Sequence, residues 1–338
     1  MEWHITWTEG PVFPDLIKGG AMGVVGDRVV HVAGVSFPWR ERETGWWLDP
    51  SEGMWHPLPP MPEGRAYTQG VTIQDALCVV GGRKSGQVCT SCFRLRRMEG
   101  LWCWDVLPDL HWGRGVSALV AVGERIYAIG GGSWTPGAFL PDDTPSDEVL
   151  DLVHLDQGWR DIPSCPGRRR AGACAASVGG RMYVFGGAYS WIEGDQRRTL
   201  RLGDAWCFDP DQATWHERTH LPVIGLSGAA ALPYGDRFIL LIGGGVAKEE
   251  GRGECAMTYE EDTQRGVRVG WYNDCVFVYD TATDTYTEVS ERLPHATHDI
   301  RAERIGDTIY AIGGENYDRS VSNTCAHVRV GKISAQHF

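Results

Sequence analysis

The sequence predicts an all-β fold, a ring of six radial sheets closed into a β-propeller, and three observations predict it. A short apolar strand ending in two glycines recurs along the chain, before Gly81-Gly82, Gly130-Gly131, Gly186-Gly187, Gly243-Gly244 and Gly313-Gly314, with a weaker copy before Ala33-Gly34. The spacings between these pairs are 48, 49, 56, 57 and 70 residues, close to the ~50-residue period of one propeller blade. Each unit also closes on an aromatic residue followed by prolines: Trp55 by Pro59 and Pro62, Trp104 by Pro108, Trp159 by Pro163, Trp215 by Pro222 and Tyr286 by Pro294.

Within a unit the elements come in a fixed order. A turn sixteen residues before the first glycine carries Arg65, Arg114 and Arg170 in three copies. A strand of small and apolar residues follows, as in Gly115-Val-Ser-Ala-Leu-Val-Ala-Val122, and then a Gly-Asp or Gly-Glu type hairpin turn such as Gly123-Glu124 or Gly306-Asp307. The strand ending in Gly-Gly is continuously apolar, the pattern of a strand buried on both faces. A loop of variable length leads to an outer strand, for example Asp204-Ala-Trp206-Cys-Phe-Asp209, and then to the aromatic and proline tail. The sixth unit lacks its tail at the C-terminus, whereas Trp7-Thr-Glu-Gly-Pro11-Val-Phe-Pro14 has the offsets of the Trp55 tail. A strand at about residues 3–14 is therefore expected to complete the last blade, closing the ring and removing the exposed sheet edges. Residues 1–338 read as a single domain.

Bulk properties narrow the function. The chain is 42% hydrophobic and 22% charged, enough for a large core. Its net charge of −12 disfavours nucleic acid or an anionic membrane as partner. No apolar run approaches the ~18 residues of a membrane span. Met1-Glu2-Trp3-His4 carries no leader signature, and the ten scattered cysteines read as reduced thiols, which together predict a cytoplasmic protein. The one close pair, Cys89-Thr-Ser-Cys92, has no second pair or histidine at ligand spacing, so no metal and no cofactor is expected.

The glycine-pair strands, the trailing tryptophans and the displaced closing strand together resemble the kelch repeat over essentially the whole chain. The last-blade phrase Ala311-Ile-Gly-Gly-Glu315 is similar to a Gly-Gly-Glu phrase in the final blade of bacterial N-acetylneuraminate epimerases, the sialic acid mutarotases. The kelch resemblance implies that ligands bind at the mouth of the central channel, built by the loops after the Gly-Gly strands and the turns before the inner strands. That places Arg65, Arg114, Arg170, Arg83, Arg301 and Arg319 as substrate-binding candidates, with Trp134, Tyr189 and Trp191 as a stacking wall for a sugar ring. The arginines have a second reading, as turn residues that bond backbone carbonyls of the next blade, and the aromatics a second one, as plugs between loop and blade.

Glu315 is the only carboxylate directly after a glycine pair; the other five copies have Val35, Arg83, Gly132, Ala188 and Gly245. Beside basic groups it is a candidate general acid or base, with His298 and Asp299 as further proton-transfer candidates. Its alternative role is an ion pair with Arg319, and that of His298-Asp299 an ordinary surface turn. The functional expectation is a carbohydrate-active propeller, a mutarotase or epimerase on a small acidic sugar or oligosaccharide. Hydrolysis or lysis of an acidic glycan and a non-enzymatic interaction scaffold are the alternatives, and the long loops 133–145, 188–202 and 246–272 are the surfaces for any protein partner.

Overall fold

The computed structural model describes residues 2–36, 40–135, 138–140, 146–223, 225–246, 255–258, 271–316 and 324–336. They form six four-stranded antiparallel sheets, each one blade. Blade 1 runs Ala21–Val25, Arg28–Val32, Gly45–Asp49 and Met54–Pro57 from the axis outward. Blades 2 to 5 repeat this order from inner strands Gln69–Ile73, Ala118–Val122, Cys174–Val178 and Ala230–Tyr234. Blade 6 takes Arg301–Ile305, Thr308–Ile312 and Val328–Gln336 from the C-terminal end, and its outermost strand is Glu2–Glu9. That strand pairs antiparallel with the C-terminal one from Glu2 opposite Gln336 to Glu9 opposite Arg329, so the expected closure is observed. Among the described residues no helix is long and apolar enough to cross a membrane.

The strands bury apolar residues on both faces, and the core is accordingly divided into six clusters among the described residues, one between each pair of neighbouring blades. Trp3 and Ile5 of the closing strand sit in the cluster that joins blade 5 to blade 6. The tryptophans of the outer strands are inter-blade ties. Trp55, Trp104, Trp159 and Trp215 donate their indole N–H to the carbonyls of Pro11, Pro59, Pro108 and Pro163, at 3.0, 3.1, 2.9 and 2.7 Å. Tyr286 does the same to Thr219 at 2.9 Å. The prolines of each tail thus supply carbonyl acceptors to the next blade, which explains why aromatic and proline travel together in the sequence.

The glycine pairs have a matching explanation near the axis. The second residue of every pair donates its N–H to the turn carbonyl of the following blade: Gly34 to Arg65, Gly82 to Arg114, Gly131 to Arg170, Gly187 to Leu226, Gly244 to Thr297 and Gly314 to Ile17, all at 2.7–2.9 Å. The first residue of each pair is left-handed, and at Gly81, Gly130 and Gly186 an added Cβ would collide with the same turn carbonyl. Ala33 tolerates this left-handed conformation in the degenerate first copy. The inner strands begin later than the sequence pattern suggests, at Ala118 rather than Gly115, because the residues just before them belong to the mouth.

Candidate functional site at the channel mouth

The backbone presents three equivalent positions per blade at the mouth. The residue after each glycine pair forms a two-residue bridge with a turn residue: Val35 with Lys18, Arg83 with Ala66, Gly132 with Gly115, Ala188 with Ala171, Gly245 with Ser227 and Glu315 with His298. The residue after each turn residue, Gly19, Tyr67, Val116, Gly172, Gly228 or Asp299, has a positive φ between 52 and 68°. Tyr67, Val116, Gly172 and Gly228 are linked in series around the axis by N–H to carbonyl bonds of 2.8–2.9 Å. Six blades thus offer the same scaffold, and the sequence fills it unequally. Blades 3 and 4 place Gly115, Val116, Gly132, Ala171, Gly172 and Ala188 there, whereas blades 5, 6, 1 and 2 place Ser227, His298, Asp299, Glu315, Lys18, Tyr67 and Arg83.

These polar side chains converge. Glu315, 6% exposed, forms an ion pair through Oε1 with the buried Lys18 ammonium and accepts a hydrogen bond on Oε2 from the Tyr272 hydroxyl at 3.1 Å. His298 Nδ1 lies 3.9 Å from Glu315 Oε2 and 3.7 Å from Asp299 Oδ2, and its ring stacks on Tyr272 with centroids 5.9 Å apart at 13°. On its other side, His298 Nε2 is 3.5 Å from Ser227 Oγ, which also receives a hydrogen bond from the Arg201 guanidinium. Gly228 and Gly245 make this packing possible: a Cβ on either would come within 2.8 Å of the imidazole. Arg83 and Lys18 lie over the Tyr67 ring, at 5.4 and 5.8 Å from its centroid, and Arg83 is 3.6 Å from Glu41.

Burial and charge set the protonation states. Burial pulls the His298 pKa below the ordinary 6.5, outweighing the neighbouring carboxylates, so the imidazole is neutral at pH 7. Burial also works against the Asp299 carboxylate, but His298, Lys18, Arg301 and Arg201 hold its pKa below the usual value, and it stays ionised. Desolvation disfavours the Lys18 ammonium, and Glu315, Tyr67 and Asp299 overcome it to raise its pKa above 10.5. Burial raises the Tyr67 phenol. The cluster therefore holds a neutral imidazole, carboxylates and an ammonium within one enclosed region, a set able to accept and to supply protons.

The channel below the mouth encloses a cavity of about 240 Å³, walled largely by small and apolar inner-strand residues such as Gly70, Ala118, Ala176 and Ala230. Blade 6 contributes Asp299, Arg301 and Glu303 to it. Burial pushes the Glu303 pKa up to about 8. Above the mouth, the long loops build a wall of hairpins. Arg83–Lys84 pairs with Gln87–Val88 and Ser133–Thr135 with Ala138–Leu140, while Ala188–Glu193, Gln196–Arg201 and Cys255–Thr258 make a three-stranded sheet. These hairpins arise from the loops of blades 2 to 5 and contact one another in series.

The sequence-derived candidates distribute unevenly over this geometry. Glu315, His298 and Asp299 come together. Arg83 is at the mouth, and Arg301 lines the channel with its Nε donating to Gly20 O at 2.7 Å. Arg65, Arg114 and Arg170 point into their own blades instead, 0–2% exposed. Their guanidinium groups bond the carbonyls of Gly81, Gly130 and Gly186 at 2.8–3.0 Å and pair with Glu63, Glu148 and Asp204. The carbonyls are those of the same blade rather than the next, so these buried guanidinium groups serve the blade turns. In blade 6 the equivalent guanidinium comes from Arg329 on the C-terminal strand Val328–Gln336, bonded to Gly313 O at 3.4 Å and Thr297 Oγ1 at 2.8 Å. Tyr189 and Trp191 stack on one another at 5.6 Å, with Arg168 over Tyr189. Strand alternation puts them on the face opposite Arg201 and Ser190. The Trp134 side chain and Arg319 lie outside the described residues.

Lys18, Tyr67, Arg201, Ser227 and Tyr272 were not singled out by sequence. Lys18 and Ser227 occupy the repeat position of His298, so carrying the alignment one residue past the arginine position in all six units finds them. Arg201 and Tyr272 arrive on insertions, where the repeat gives no register.

Comparison with known proteins agrees with this architecture. Residues 107–250 match the family model described as NANM: N-acetylneuraminate epimerase. The Kelch-like protein terF of Aspergillus terreus is 24% identical over 71% of this chain and 52% of its own length. N-acetylneuraminate epimerases of Vibrio cholerae and Haemophilus influenzae are 30% and 26% identical over 40% and 56% of this chain, and over 33% and 45% of their own. The chain thus spans about half or less of the curated relatives it matches most strongly. It is a kelch-type six-bladed propeller resembling the N-acetylneuraminate epimerases.

Proposed function

We propose that the channel mouth binds a small acidic sugar of the sialic-acid class and interconverts its anomers. The observation that supports this reading is the one-sided mouth. A neutral, partly buried His298 faces Glu315 and Asp299 on one side, and on the other the equivalent positions of blades 3 and 4 carry small or apolar residues. The names of the relatives supply the substrate class, and the charge distribution agrees with it. Lys18, Arg83, Arg201 and Arg301 surround the cluster, and a guanidinium is a two-pronged partner for a sugar carboxylate.

Anomer exchange opens the sugar ring: one group removes the proton of the anomeric hydroxyl while another protonates the ring oxygen. In this reading His298 is the acceptor, because burial keeps its imidazole unprotonated. The proton-bearing partners are Tyr272 and Lys18, both of which contact Glu315. Glu315 holds these two donors in place and balances the charge as the protons move. Arg201, anchored on Ser227 and on Gly245 O at 3.2 Å, is the residue assigned to the substrate carboxylate.

Mutarotation of freshly dissolved α-N-acetylneuraminate, followed by proton NMR at pH 7, tests the reading. The wild-type chain should exceed the buffer rate, and His298→Ala should lose about 10²–10⁴-fold of the enzymatic rate, the usual contribution of an acid–base group. Glu315→Gln, which releases its hold on Lys18 and Tyr272, should lower the rate as well. Arg201→Ala should act mainly on KM, and the methyl ester of the same sugar should be a poor substrate. A wild-type rate equal to that of buffer sinks the proposal.

A further inference from the structure

Outside the polar cluster of Glu315 and His298, three metal-ligand side chains meet where the ring closes. Glu9 ends the N-terminal strand, His327 directly precedes the C-terminal strand, and His295 lies in the turn leading into blade 6. Glu9 Oε1 is 3.5 Å from His295 Nε2 and Glu9 Oε2 is 4.0 Å from His327 Nδ1. The imidazole rings face each other, with centroids 4.4 Å apart at 30°. One donor atom from each of the three residues lies within 4.8 Å of the other two. Residues 9, 295 and 327 are far apart in sequence, which is why no ligand spacing announces them.

We propose that Glu9, His295 and His327 form a binding site for a divalent transition metal of the Zn²⁺ type, which fastens the N-terminal strand to the last blade. Two imidazole nitrogens and one carboxylate oxygen are a zinc donor set, with the fourth position left to water. Tetrahedral bonds of about 2.0–2.1 Å place donors roughly 3.4 Å apart, so donor atoms that lie within 4.8 Å of one another must draw together by up to roughly 1.4 Å, a side-chain adjustment. The side chains are 36–63% exposed, at the surface rather than in a core cluster. The softer nitrogen donors select against Mg²⁺ and Ca²⁺, which take oxygen ligands.

A second group of three, His111, Glu148 and Asp161, has similar donor distances. Its Glu148 is already held by the Arg114 guanidinium and by the His111 backbone N–H at 2.8 Å, so it is the weaker ligand set. The Glu9 site also has a consequence the other lacks. One ligand comes from the strand that closes the propeller, so the metal binds the closed ring in preference to the open one and stabilises closure by linkage.

The test uses the full chain, stripped with EDTA and desalted, then titrated with ZnCl₂ by calorimetry and followed in thermal unfolding. The wild type should show a zinc-dependent rise in Tm of a few degrees at saturating metal. Zinc should also slow amide exchange in Glu2–Glu9. His295→Ala and His327→Ala should keep the metal-free Tm, since both side chains are partly exposed, and should lose at least about tenfold in zinc affinity, the effect that removal of even an outer-shell partner produces. His111→Ala should retain the zinc response. The proposal fails if the wild type shows no zinc response, if the response survives both His295→Ala and His327→Ala, or if His111→Ala abolishes it.

Discussion

Lys18 and Glu315 provide the sharpest test of how the mouth is held together. Their side chains are 7% and 8% exposed, and each is the other's principal counter-charge. Removing one partner of a buried pair leaves an uncompensated charge and typically costs about 3–5 kcal/mol. Lys18→Met should fall in that range. Glu315→Gln should sit at its lower end, because the amide oxygen still accepts from Tyr272. In the double variant neither charge remains, so the loss should be smaller than the sum of the two by about 2 kcal/mol, within the coupling found for contacting residues. Urea unfolding of all four proteins at pH 7 gives the cycle directly, read from midpoints with matched m-values. The pair also predicts an alkaline signature. The Lys18 pKa is raised in the folded state above 10.5, so its contribution is complete below that pH and is lost as pH climbs through the folded value. Lys18→Met should lack this component. Additive single losses, within about 0.5 kcal/mol, would refute the claim that the two charges are coupled.

Two further outcomes follow from buried groups elsewhere. Burial, assisted by Arg301, pushes the His31 pKa down to about 3, so the unfolded chain binds a proton below pH 6.5 that the folded chain refuses. Stability should therefore decline by up to about 1.4 kcal/mol per pH unit between 6.5 and 3, and His31→Gln should flatten that part of an acid-unfolding series. Ile5 is 0% exposed in the closing strand and packs between blades 5 and 6. Ile5→Ala should cost about 2–5 kcal/mol in urea unfolding and raise amide exchange first in Glu2–Glu9, and a uniform rise over all blades would contradict a localised closure.

The fold was legible because the repeat is written in residues whose job is backbone geometry. Gly81, Gly130 and Gly186 cannot carry a Cβ against the next blade's carbonyl, and Trp104 or Trp159 cannot be moved from its proline carbonyl without losing an inter-blade bond. The displaced tail after Trp7 was legible from its prolines, since Pro11 offers its carbonyl to Trp55 as the other tails do, although the Trp7 indole N–H itself finds no acceptor among the described residues. The site was legible only in part. Glu315, His298 and Asp299 stood out as departures from the repeat. Arg65, Arg114 and Arg170 were correctly aligned with the turn, but the mouth begins one residue later, at Ala66, Gly115 and Ala171. An offset of one residue in extended chain sends a side chain to the opposite face. The arginines thus turn into the blade, onto Glu63, Glu148 and Asp204, while Tyr67 at the ring position faces Lys18 and Arg83. Tyr272 and Arg201 reach the site on insertions, whose register follows from pairings such as Gly245 with Tyr272 and Ala188 with Arg201 that no local pattern announces.

The repeat also supplies an internal control for the mouth. The bridge after the glycine pair is made by valine, arginine, glycine, alanine, glycine and glutamate in the six blades, with the same partners in register each time. The backbone therefore has no need of a carboxylate at that position, and four of the six residues there are small or apolar. Burying Glu315 carries a desolvation penalty that Lys18 and Tyr272 offset. Lys18 in turn occupies a position filled by Ala66, Gly115 and Ala171 in blades 2 to 4, so it answers no requirement of the bridge either. Two residues from opposite ends of the chain, each dispensable to the architecture, meet only across the seam where blade 1 follows blade 6. The polar cluster thus depends on ring closure while the scaffold at its positions does not depend on the cluster. That separation makes activity and stability independently measurable at Arg201 and His298, where the proposed chemistry is to be tested.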